Sequence, residues 1–338
     1  MKLPAGFEVL TADEDLAVEV YDALNDVEAR LLKALSSPDQ TADTSARYLA
    51  EAGGKRVRPL LTVLTSMLGD GISPNVLQAA VVMEMTHLAT LYHDDVMDSA
   101  PVRRGAPSAH EVWGNSVAIL AGDLILARAS HMMSELGEEG TRMQARTFER
   151  LVMGQLRETV GVAEGADARE HYLSVIADKT GSLVASAAWL GAHYGDCSAE
   201  VTQLLEEYGE AVGVAFQLAD DVIDLTADGE ASGKTPGTDL REGVPTLPVL
   251  LLREKAAAQG EESAEAQQVL SLVDGDLSSD EALAEAAAAV VAHPVREEAW
   301  RTAQGWAAKA KAAIAPLPES TVKTALNSFA DAVVERDG

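Results

Sequence analysis

The amino-acid sequence predicts an all-α protein, and three observations support this prediction. Alanine and leucine are abundant, aromatic residues make up only 4% of the chain, and runs of β-branched residues are short. Apolar residues recur at helical spacing along nearly the whole chain, and no segment alternates convincingly like a strand. The 47% apolar and 24% charged residues are typical of a folded chain, which excludes general disorder and fibrous repeats.

Glycine and proline divide this periodic pattern into helices. The breaks fall at Pro38, at Gly53-Gly54, between Gly69 and Ser73, and in the stretches 101–107 and 229–237. Between them the spacing predicts helices over residues 13–35, 43–52, 57–68, 74–98, 108–136, 139–163, 168–194, 199–226, 245–258 and 297–335. The weakly periodic stretch from about 255 to 295 indicates short, mobile surface helices.

The net charge and the cysteine content bear on the possible partners and on the cellular compartment. The chain has 26 Lys and Arg against 54 Asp and Glu, a net charge of −28, which repels phosphate backbones and anionic lipid, so we expect no nucleic-acid partner. A lone cysteine, Cys197, cannot form a disulfide within the chain, which favours the reducing cytoplasm. We expect Cys197 to be a small buried side chain rather than a reactive thiol.

Neither a secretion signal nor a membrane helix is expected. The first residues lack the basic start and apolar stretch of such a signal. The longest uncharged stretch, from Thr180 to Gly195, is shorter than the roughly 18 apolar residues that span a membrane. We therefore expect no stable membrane insertion.

Two identical acidic patterns are the strongest functional signal. Residues 94–98 read Asp-Asp-Val-Met-Asp and residues 220–224 read Asp-Asp-Val-Ile-Asp, each at the end of a strongly apolar predicted helix. At this aspartate content about 0.1 such patterns arise by chance. Residues four apart share a helix face, so the first and last Asp of each pattern repel each other. A solvated acidic face would explain one such cluster, but a matched pair needs something that offsets the repulsion.

The flanking residues indicate that both clusters are half-buried. Tyr92 and Met97 accompany the first cluster, and Phe216 and Ile223 accompany the second. Buried carboxylates need cations. Carboxylate oxygens without His or Cys partners suit Mg²⁺, which keeps several waters and is usually shared with the phosphates of a substrate. The sequence therefore predicts a magnesium site that binds a diphosphate.

Several of the scarce cations lie close to the acidic clusters in the sequence. Guanidinium groups bind phosphate oxygens in a bidentate manner and lysine supplies a point charge, so these residues are candidate diphosphate ligands. Surface ion pairs are the alternative for any one of them. The candidates are Lys55, Arg56, Arg58, Arg103, Arg104 and Lys234.

Further short motifs accompany these residues in a fixed order. They are GGKRVRP at 53–59, His87, HDDVMD at 93–98, Arg103-Arg104-Gly105, Gly122-Asp123, Gly154-Gln155, Lys179-Thr180, FQLADDVID at 216–224 and GKTPGTDLREG at 233–243. Each motif is modest alone, but the ordered set is specific. Over nearly its whole length the chain resembles the trans-isoprenyl diphosphate synthases of the polyprenyl synthetase family, in particular those that make long-chain products.

The resemblance implies a fold and a reaction. The fold would be the isoprenoid synthase fold, a single-domain helical bundle around a central cavity over residues 13–338, usually assembled as a homodimer. Residues 1–12 would be a mobile N-terminus. The reaction would be a head-to-tail condensation of an allylic diphosphate with isopentenyl diphosphate, with three Mg²⁺ ions per active site and an all-trans polyprenyl diphosphate as product.

The resemblance also assigns roles to individual residues. The carboxylates that would bind Mg²⁺ are Asp94, Asp98 and Asp220, helped by Asp95, Asp221 and Asp224. The residues that would line the allylic site are Arg103, Lys179, Thr180, Gln217 and Lys234, of which Lys179, Thr180 and Gln217 would act in catalysis. The residues that would bind isopentenyl diphosphate are Lys55, Arg58, His87 and Arg104. Without this context His87 would be a hydrogen-bonded core residue.

Small side chains below the first cluster predict a long product. In this family the growing hydrocarbon runs beside the helix of the first cluster, where Ala89, Thr90 and Thr86 would form the wall. No aromatic residue blocks it, so we expect a product longer than farnesyl, with geranylgeranyl as the alternative. A deeper floor would come from Met143, Phe148 or Val152.

Other functions fit the sequence less well. A class I terpene cyclase shares the fold but has one such Asp-rich motif and lacks GGKRxRP. A non-catalytic partner subunit would not need two intact Asp clusters. An acidic scaffold would not bind diphosphate in the presence of magnesium.

Overall fold

Helices form nearly all of the regular structure in the computed structural model, which describes residues 4–226, 237–258 and 260–335. The elements in chain order are a 3₁₀ helix at Glu8–Ala12, α1 at Glu14–Leu35, α2 at Gln40–Glu51, α3 at Val57–Ser66, α4 at Pro74–Met97, β1 at Val102–Arg103, β2 at Ala106–Pro107, α5 at Ala109–Trp113, α6 at Asn115–Ser134, α7 at Glu138–Val160, α8 at Ala168–Ile176, a π-helical segment at Ala177–Gly181, α9 at Ser182–Tyr194, α10 at Ala199–Asp224, α11 at Thr238–Glu242, α12 at Leu247–Ala257, α13 at Glu261–Val273, α14 at Asp280–Ala292, α15 at Val295–Ala313 and α16 at Thr321–Ala332. The predicted all-α class is confirmed.

Three of the predicted helices are interrupted. The helix expected over 108–136 breaks at Gly114, whose φ of 82° lies in the left-handed region, so that α5 ends there and α6 begins. The helix expected over 168–194 widens into the π-helical segment. The helix expected over 297–335 breaks after α15, where two prolines follow within the next five residues and stop the hydrogen-bond ladder.

A small hairpin corrects the prediction that the chain has no strand. The two-residue strands β1 and β2 pair antiparallel. Arg104 and Gly105 between them have φ angles of 54° and 77°, as a type I′ hairpin turn requires. Strands of two residues are too short to show an alternating pattern, which is why the sequence did not reveal them.

Helices α4, α9 and α10 form the centre of the bundle. Helix α4 begins at Ser73, whose hydroxyl accepts a hydrogen bond from the backbone N–H of Val76, and its middle part is buried on every side. A helix that is apolar all round belongs in a core. Helix α10 packs on α9 and α15 and is buried along one side. The end of α4 is exposed at Met97 and Asp98, whereas α10 ends at the half-buried Ile223 and Asp224.

The two segments expected to be mobile make packing contacts. Phe7 and Leu10 of the N-terminal segment are fully buried, and the Phe7 ring stacks on Phe329 with 4.6 Å between centroids. In the stretch 255–295, Leu283 and Val290 of α14 are buried. The mobility of both segments stays a prediction.

Helix α6 is the described helix that is long and apolar enough to cross a membrane. This match rests on length and composition, and one third of its most apolar window is buried. The stretch from Thr180 to Gly195 considered in the sequence instead lies mostly in the buried helix α9. Helices of soluble proteins have the same length and composition, so α6 is weak evidence for a membrane span.

Cys197 has the environment of an unreactive thiol. It is half-buried, and its Sγ lies 3.8 Å from the carbonyl oxygen of Thr65. Burial, with the nearby charges of Asp196 and Asp70, raises the pKa of the thiol to about 11. The thiol is therefore protonated at neutral pH.

Candidate active site

The two Asp clusters occupy the C-terminal ends of α4 and α10. Asp94 and Asp95 lie in the last turn of α4 and Asp98 is its C-cap, while α10 ends at Asp224. A helix C-terminus carries partial negative charge, so acidic residues there add to an unfavourable potential. The two helix ends therefore favour a bound cation, in addition to the attraction exerted by the carboxylates themselves.

The three aspartates of the first cluster differ in solvent exposure. Asp95 is fully buried, Asp94 is half-buried and Asp98 is exposed. Burial raises the pKa of Asp94 to about 6, and the negative charge of Asp98 adds to this rise, while Lys179 opposes it. Burial also raises the pKa of Asp98, and the charge of Lys179 again opposes the rise. The ammonium group of Lys179 therefore lies near both carboxylates that the cluster presents to solvent.

Asp95 is bound within the protein rather than presented to solvent. Its Oδ1 accepts a hydrogen bond from Arg103 Nε at 2.6 Å, and Nη2 of the same guanidinium forms an ion pair with this oxygen at 2.6 Å. Burial nevertheless raises the pKa of Asp95. Arg103 is thus held beside the first cluster by the turn of the hairpin and by Asp95. A role of Asp95 in binding Mg²⁺ stays a prediction.

The second cluster is centred on a buried carboxylate. Asp221 Oδ1 accepts a hydrogen bond from Gln217 Nε2 at 2.9 Å, and Oδ2 accepts one from the Tyr172 hydroxyl. Burial raises the pKa of Asp221 to about 6, although both hydrogen bonds oppose the rise. Sequence reasoning missed Tyr172, because it lies in α8 and only the fold brings it to α10.

Asp220 and Asp224 flank this carboxylate and are half-buried. Asp224 Oδ2 accepts a hydrogen bond from the backbone N–H of Asp239 at 3.2 Å, in the first turn of α11. This bond fixes α11 against the end of α10. The predicted allylic-site residue Lys234 lies outside the described residues.

The π-helical segment connects the two clusters. Lys179 lies near the first cluster, as the pKa values of Asp94 and Asp98 show. The next residue, Thr180, donates a hydrogen bond from its hydroxyl to Gln217 Oε1 at 3.0 Å, and Gln217 contacts the second cluster. The fold therefore brings the predicted residues Lys179, Thr180 and Gln217 together between the two acidic helix ends.

Glu158 of α7 is a further carboxylate at this place that the sequence did not reveal. It pairs with Lys179, and its charge raises the pKa of Asp94 and Asp98. Its position four residues after Gly154 in the Gly154-Gln155 motif was the available signal, since residues four apart share a helix face.

The donor set suits a magnesium ion that a substrate completes. Among residues 4–226, 237–258 and 260–335, no three His, Cys, Asp or Glu side chains converge closely enough to hold a metal ion by themselves. The available donors are carboxylate oxygens of Asp94 and Asp221, whose pKa values are raised by burial. A nearby cation would stabilise the ionised form of such carboxylates. Magnesium is commonly bound by one or two carboxylates plus substrate phosphates. The residues present therefore fit Mg²⁺ bound together with a diphosphate.

A second group of residues concentrates positive charge around His87. Burial and then the charges of Arg58 and Arg104 lower the pKa of His87 well below its usual value, with smaller contributions from Arg103 and Arg56. His87 is therefore neutral at physiological pH. Burial also lowers the pKa of Arg58 to about 10, and its Nε is buried without a hydrogen-bond partner. So many cations around one neutral imidazole form an anion site.

Gly54 allows the arginines to approach one another. It has a φ of 153°, and a Cβ at this position would lie 2.9 Å from Arg56 Nη1 and 3.0 Å from the guanidinium carbon of Arg104. Arg104 in turn donates hydrogen bonds to the carbonyl oxygens of Leu49 and Gly53. The glycine pair thus serves close packing of guanidinium groups against the backbone.

Two carboxylates offset part of the positive charge of this cluster, and the sequence analysis missed both. Arg56 donates hydrogen bonds to Glu28 at 2.7 and 2.9 Å and to Glu84 at 2.9 Å. Glu84 is 2% exposed and also lies 3.9 Å from Arg104. Arg56 is therefore committed to the protein interior rather than free for phosphate. Glu84 could have been noticed as the lone Asp, Glu, Lys or Arg residue between Pro74 and His93.

The remaining predicted residues differ in burial. Lys55 is exposed beside the arginine cluster, whereas Ala89 and Thr86 are buried in α4 and Thr90 is half-buried. Of the residues suggested for a deeper floor, Met143 is buried, but Phe148 and Val152 are exposed. The position of a deeper floor stays a prediction.

Comparison with known proteins identifies the family. The polyprenyl synthetase family model matches residues 39–290, which include both Asp clusters and the arginine cluster. The chain belongs to the polyprenyl synthetase family. The predicted assignment to this family and to the prenyltransferases is confirmed.

Similar members of the polyprenyl synthetase family differ in their products. A nonaprenyl diphosphate synthase of Mycobacterium tuberculosis is 43% identical over 329 residues, which span 96% of each chain. An octaprenyl diphosphate synthase of Escherichia coli is 34% identical over 92% of this chain and 95% of that one. The crystal structure of a geranylgeranyl pyrophosphate synthase from Corynebacterium glutamicum with calcium and isoprenyl diphosphate has a TM-score of 0.83 and 43% identity, covering 96% of this chain and 98% of that one. The isoprenoid synthase fold predicted for this polyprenyl synthetase is thereby confirmed.

Proposed function

We propose that this chain is a magnesium-dependent trans-polyprenyl diphosphate synthase. It condenses an allylic diphosphate with isopentenyl diphosphate and yields an all-trans product longer than farnesyl diphosphate. The observation that carries the proposal is the pairing of two acidic helix ends around Lys179 and Thr180 with a separate cationic cluster around His87. Two diphosphates of different chemistry need two such sites.

The acidic half binds the allylic substrate. Asp94, Asp98 and Asp220 would hold magnesium, which when bound would supply positive charge to the diphosphate as it departs. Lys179 and Arg103 add cationic contacts to the same diphosphate. We propose up to three ions, with Asp95, Asp221 and Asp224 as supporting carboxylates.

The hydroxyl of Thr180 and the amide oxygen of Gln217 stabilise the organic cation. When the allylic C–O bond breaks, its electron pair leaves with the diphosphate and an allylic cation remains. The alkene electrons of isopentenyl diphosphate form the new C–C bond, and the proton lost from the adjacent carbon passes to the departing diphosphate. Because Thr180 and Gln217 are joined by a hydrogen bond, their oxygens are fixed before the charge develops.

The cationic half binds isopentenyl diphosphate through Arg58, His87, Arg104 and the exposed Lys55. Arg58 has a buried Nε without a hydrogen-bond partner, which a phosphate oxygen can satisfy. Neutral His87 can donate one hydrogen bond to the same diphosphate without adding to the repulsion among the arginines. Binding of this substrate therefore relieves both an unpaired donor and excess positive charge.

The product length follows from the small residues of α4. Ala89, Thr86 and Thr90 form the wall below the first cluster and leave room for a long hydrocarbon. A nonaprenyl and an octaprenyl synthase among the relatives support a long-chain product. Geranylgeranyl diphosphate is the second candidate product, because the geranylgeranyl pyrophosphate synthase of known crystal structure shares 43% sequence identity with this chain.

We propose that the chain works as a homodimer. Apolar residues of α6 and α7 are exposed, among them Leu120, Val152, Leu156 and Val160. The last three are spaced by four and share one face of α7. An exposed apolar stripe of this kind marks a protein interface. Sedimentation of the purified chain tests this, and a monomer would contradict it.

The cytoplasm is the proposed compartment, with no stable membrane insertion. The single cysteine forms no disulfide within the chain and carries a protonated thiol. A long hydrophobic product would leave the enzyme for a lipid phase, while the enzyme itself stays in water. Fractionation of cells that express the chain checks this placement.

One experiment tests the proposed reaction. The purified chain is incubated with Mg²⁺, radiolabelled isopentenyl diphosphate and geranyl or farnesyl diphosphate, and the product length is determined by chromatography. We expect products longer than farnesyl in wild type and a loss of at least about 100-fold for Asp94→Asn and Asp220→Asn. Unchanged turnover of both variants, or no elongation by the wild type, would refute the proposal.

A further inference from the structure

The π-helical segment is supported from outside by α7. In this segment the backbone N–H of Ser182 donates to the carbonyl oxygen of Ala177, five residues earlier. In the widened turn the carbonyl oxygen of Asp178 accepts a hydrogen bond from the hydroxyl of Ser182, at 2.6 Å. Such turns make up well under 1% of residues and are frequent at functional sites. Contacts from other elements are therefore needed to hold the geometry.

Two arginines of α7 supply these contacts. Arg150 Nε donates to Asp178 Oδ1 at 2.7 Å, and Arg150 Nη2 donates to the carbonyl oxygen of Ala177 at 3.3 Å. Arg157 Nη1 donates to Asp178 Oδ2 at 2.6 Å. Both oxygens of Asp178 are thus bound by arginine. The carboxylate is only 15% exposed, so this pairing is shielded from solvent more than a surface ion pair is.

The backbone of α7 also lies directly against the segment. A Cβ on Gly154 would lie 3.0 Å from Asp178 Cβ and from the backbone nitrogen of Lys179. Arg150, Gly154 and Arg157 are spaced by four and three, so they share one face of α7. This face is in contact with the segment along its first three residues.

Arg150 additionally connects the segment to α10. Its Nη1 donates to Glu210 Oε2 at 2.7 Å, on the helix that carries Gln217. One guanidinium group therefore contacts α7, the π-helical segment and α10 at once. Since Thr180 bonds Gln217, the same guanidinium fixes both ends of that hydrogen bond relative to each other.

We propose that Arg150 is a positioning residue for the prenyl-transfer site. Through Asp178 and Glu210 it sets where the ammonium of Lys179 and the hydroxyl of Thr180 lie relative to the two acidic clusters. It does not touch the substrates. The proposal rests on the function proposed above, because it assigns Lys179 and Thr180 to the allylic site.

Arg146 offers a matched control one turn earlier on α7. It pairs with Glu206 at 2.5 Å, four residues before Glu210 on α10, so it makes the same kind of bond between the two helices. The hydrogen bonds of Arg146 go to Glu206 and to Met143, on the side of Arg150 away from the π-helical segment. Replacing Arg146 therefore removes an ion pair between α7 and α10 but leaves the contacts of α7 with the π-helical segment intact.

The experiment compares Arg150→Met with Arg146→Met in steady-state kinetics with varied allylic diphosphate and varied isopentenyl diphosphate. We expect Arg150→Met to raise KM for the allylic substrate and to lower kcat, together by about 100-fold in kcat/KM, since a displacement of about 1 Å has such an effect. KM for isopentenyl diphosphate should change less than about twofold, and Arg146→Met should stay within about threefold of wild type. Equal losses in both variants, or equal rises in both KM values, would overturn the proposal.

Two further measurements keep the test decisive. If Arg150→Met does not fold, Asp178→Asn removes the same pairing with little change of shape and should show the same loss in kcat/KM for the allylic substrate. Arg150→Lys should retain more activity than Asp178→Asn. Failure of either expectation would contradict the proposal. If the wild type does not elongate substrates, the proposed function fails, and calorimetric binding of an unreactive thio analogue of farnesyl diphosphate with Mg²⁺ decides on Arg150. There we expect weaker binding in Arg150→Met than in Arg146→Met, and equal binding would refute the positioning role.

Discussion

Asp221→Asn is expected to stabilise the chain while reducing its activity. Asp221 is 5% exposed, and burial raises its pKa from 3.8 to about 6. A group whose pKa is higher in the folded state favours folding when protonated, and this contribution is lost as the pH rises through about 6. A shift of about two pKa units corresponds to about 3 kcal/mol, so the ionised carboxylate destabilises the metal-free fold by that amount at pH 7.5.

The asparagine retains most of the local contacts. Its amide oxygen can accept the hydrogen bond from Gln217, and its amide nitrogen then faces the hydroxyl oxygen of Tyr172. The loss of a hydrogen bond to a charged group offsets about 1 kcal/mol, which leaves a net gain of about 2 kcal/mol. An unfolding entropy of about 2.1 cal/mol/K per residue over this chain converts that gain into a rise in Tm of about 3 °C.

Thermal unfolding by calorimetry in the presence of a chelator measures this effect. The control is Asp22→Asn, an exposed position on α1, which should not change Tm by more than about 1 °C. The difference in Tm between wild type and Asp221→Asn should shrink as the pH falls below about 6 and should vanish only below 3.8, where the carboxyl is protonated in both the folded and the unfolded state. Mg²⁺ should stabilise the variant less than the wild type. A lower Tm for Asp221→Asn at pH 7.5 would refute the reasoning.

Four further outcomes follow from the site. Glu84→Gln leaves buried arginines underpaired, which costs about 3 kcal/mol, so Tm should fall by about 4 °C and KM for isopentenyl diphosphate should rise; an unchanged melting curve would contradict this. Gly54→Ala pushes two guanidinium groups apart and should raise KM for isopentenyl diphosphate about tenfold without affecting the allylic KM, as steady-state kinetics will show. Ala89→Phe should shorten the radiolabelled product, and an unchanged chain length would disprove the tunnel assignment. Activity at limiting Mg²⁺ should fall as the pH drops below about 6, because Asp94 then takes up a proton and binds no cation; a pH–rate profile that is flat to pH 5 would exclude this.

The central helices and the acidic clusters were predictable from local sequence. Helix α4 was expected over 74–98 and begins at Pro74, where a serine cap and a proline mark a start that needs no tertiary information. The spacing of four between Asp94 and Asp98 likewise follows from helix geometry. Such features depend on residues within one or two turns of each other, which is the range that periodicity reports.

The partners of the charged residues were not predictable in the same way. Arg56 and Arg58 look equivalent in the sequence, yet Arg56 is bound by Glu28 and Glu84, whereas Arg58 keeps a buried donor without a partner. The contacts of Arg56 are 28 residues away along the chain in both directions. Only the packing of α1 against α3 and α4 decides which arginine is neutralised.

The same limit applies to the π-helical segment. Residues 168–194 have the continuous apolar spacing of a single helix, and one widened turn hardly changes that spacing. The contacts that support the segment come from elsewhere, from Gly154 and from the arginines of α7 that bind Asp178. Backbone irregularity of this kind is imposed by neighbouring elements, so it was beyond the reach of a periodicity argument.

Both halves of the site carry unbalanced charge, which under the proposed function would keep the two similar diphosphates apart. Around Asp94 and Asp221 the excess charge is negative, so under the proposed function a diphosphate would enter together with divalent cations. Around His87 the excess charge is positive, so a diphosphate enters alone. Since each half is stabilised by a different species, Mg²⁺ concentration should govern KM for the allylic substrate far more than KM for isopentenyl diphosphate. A sorting by charge of this kind requires no contact with the hydrocarbon chains, which leaves α4 free to set product length through side-chain size.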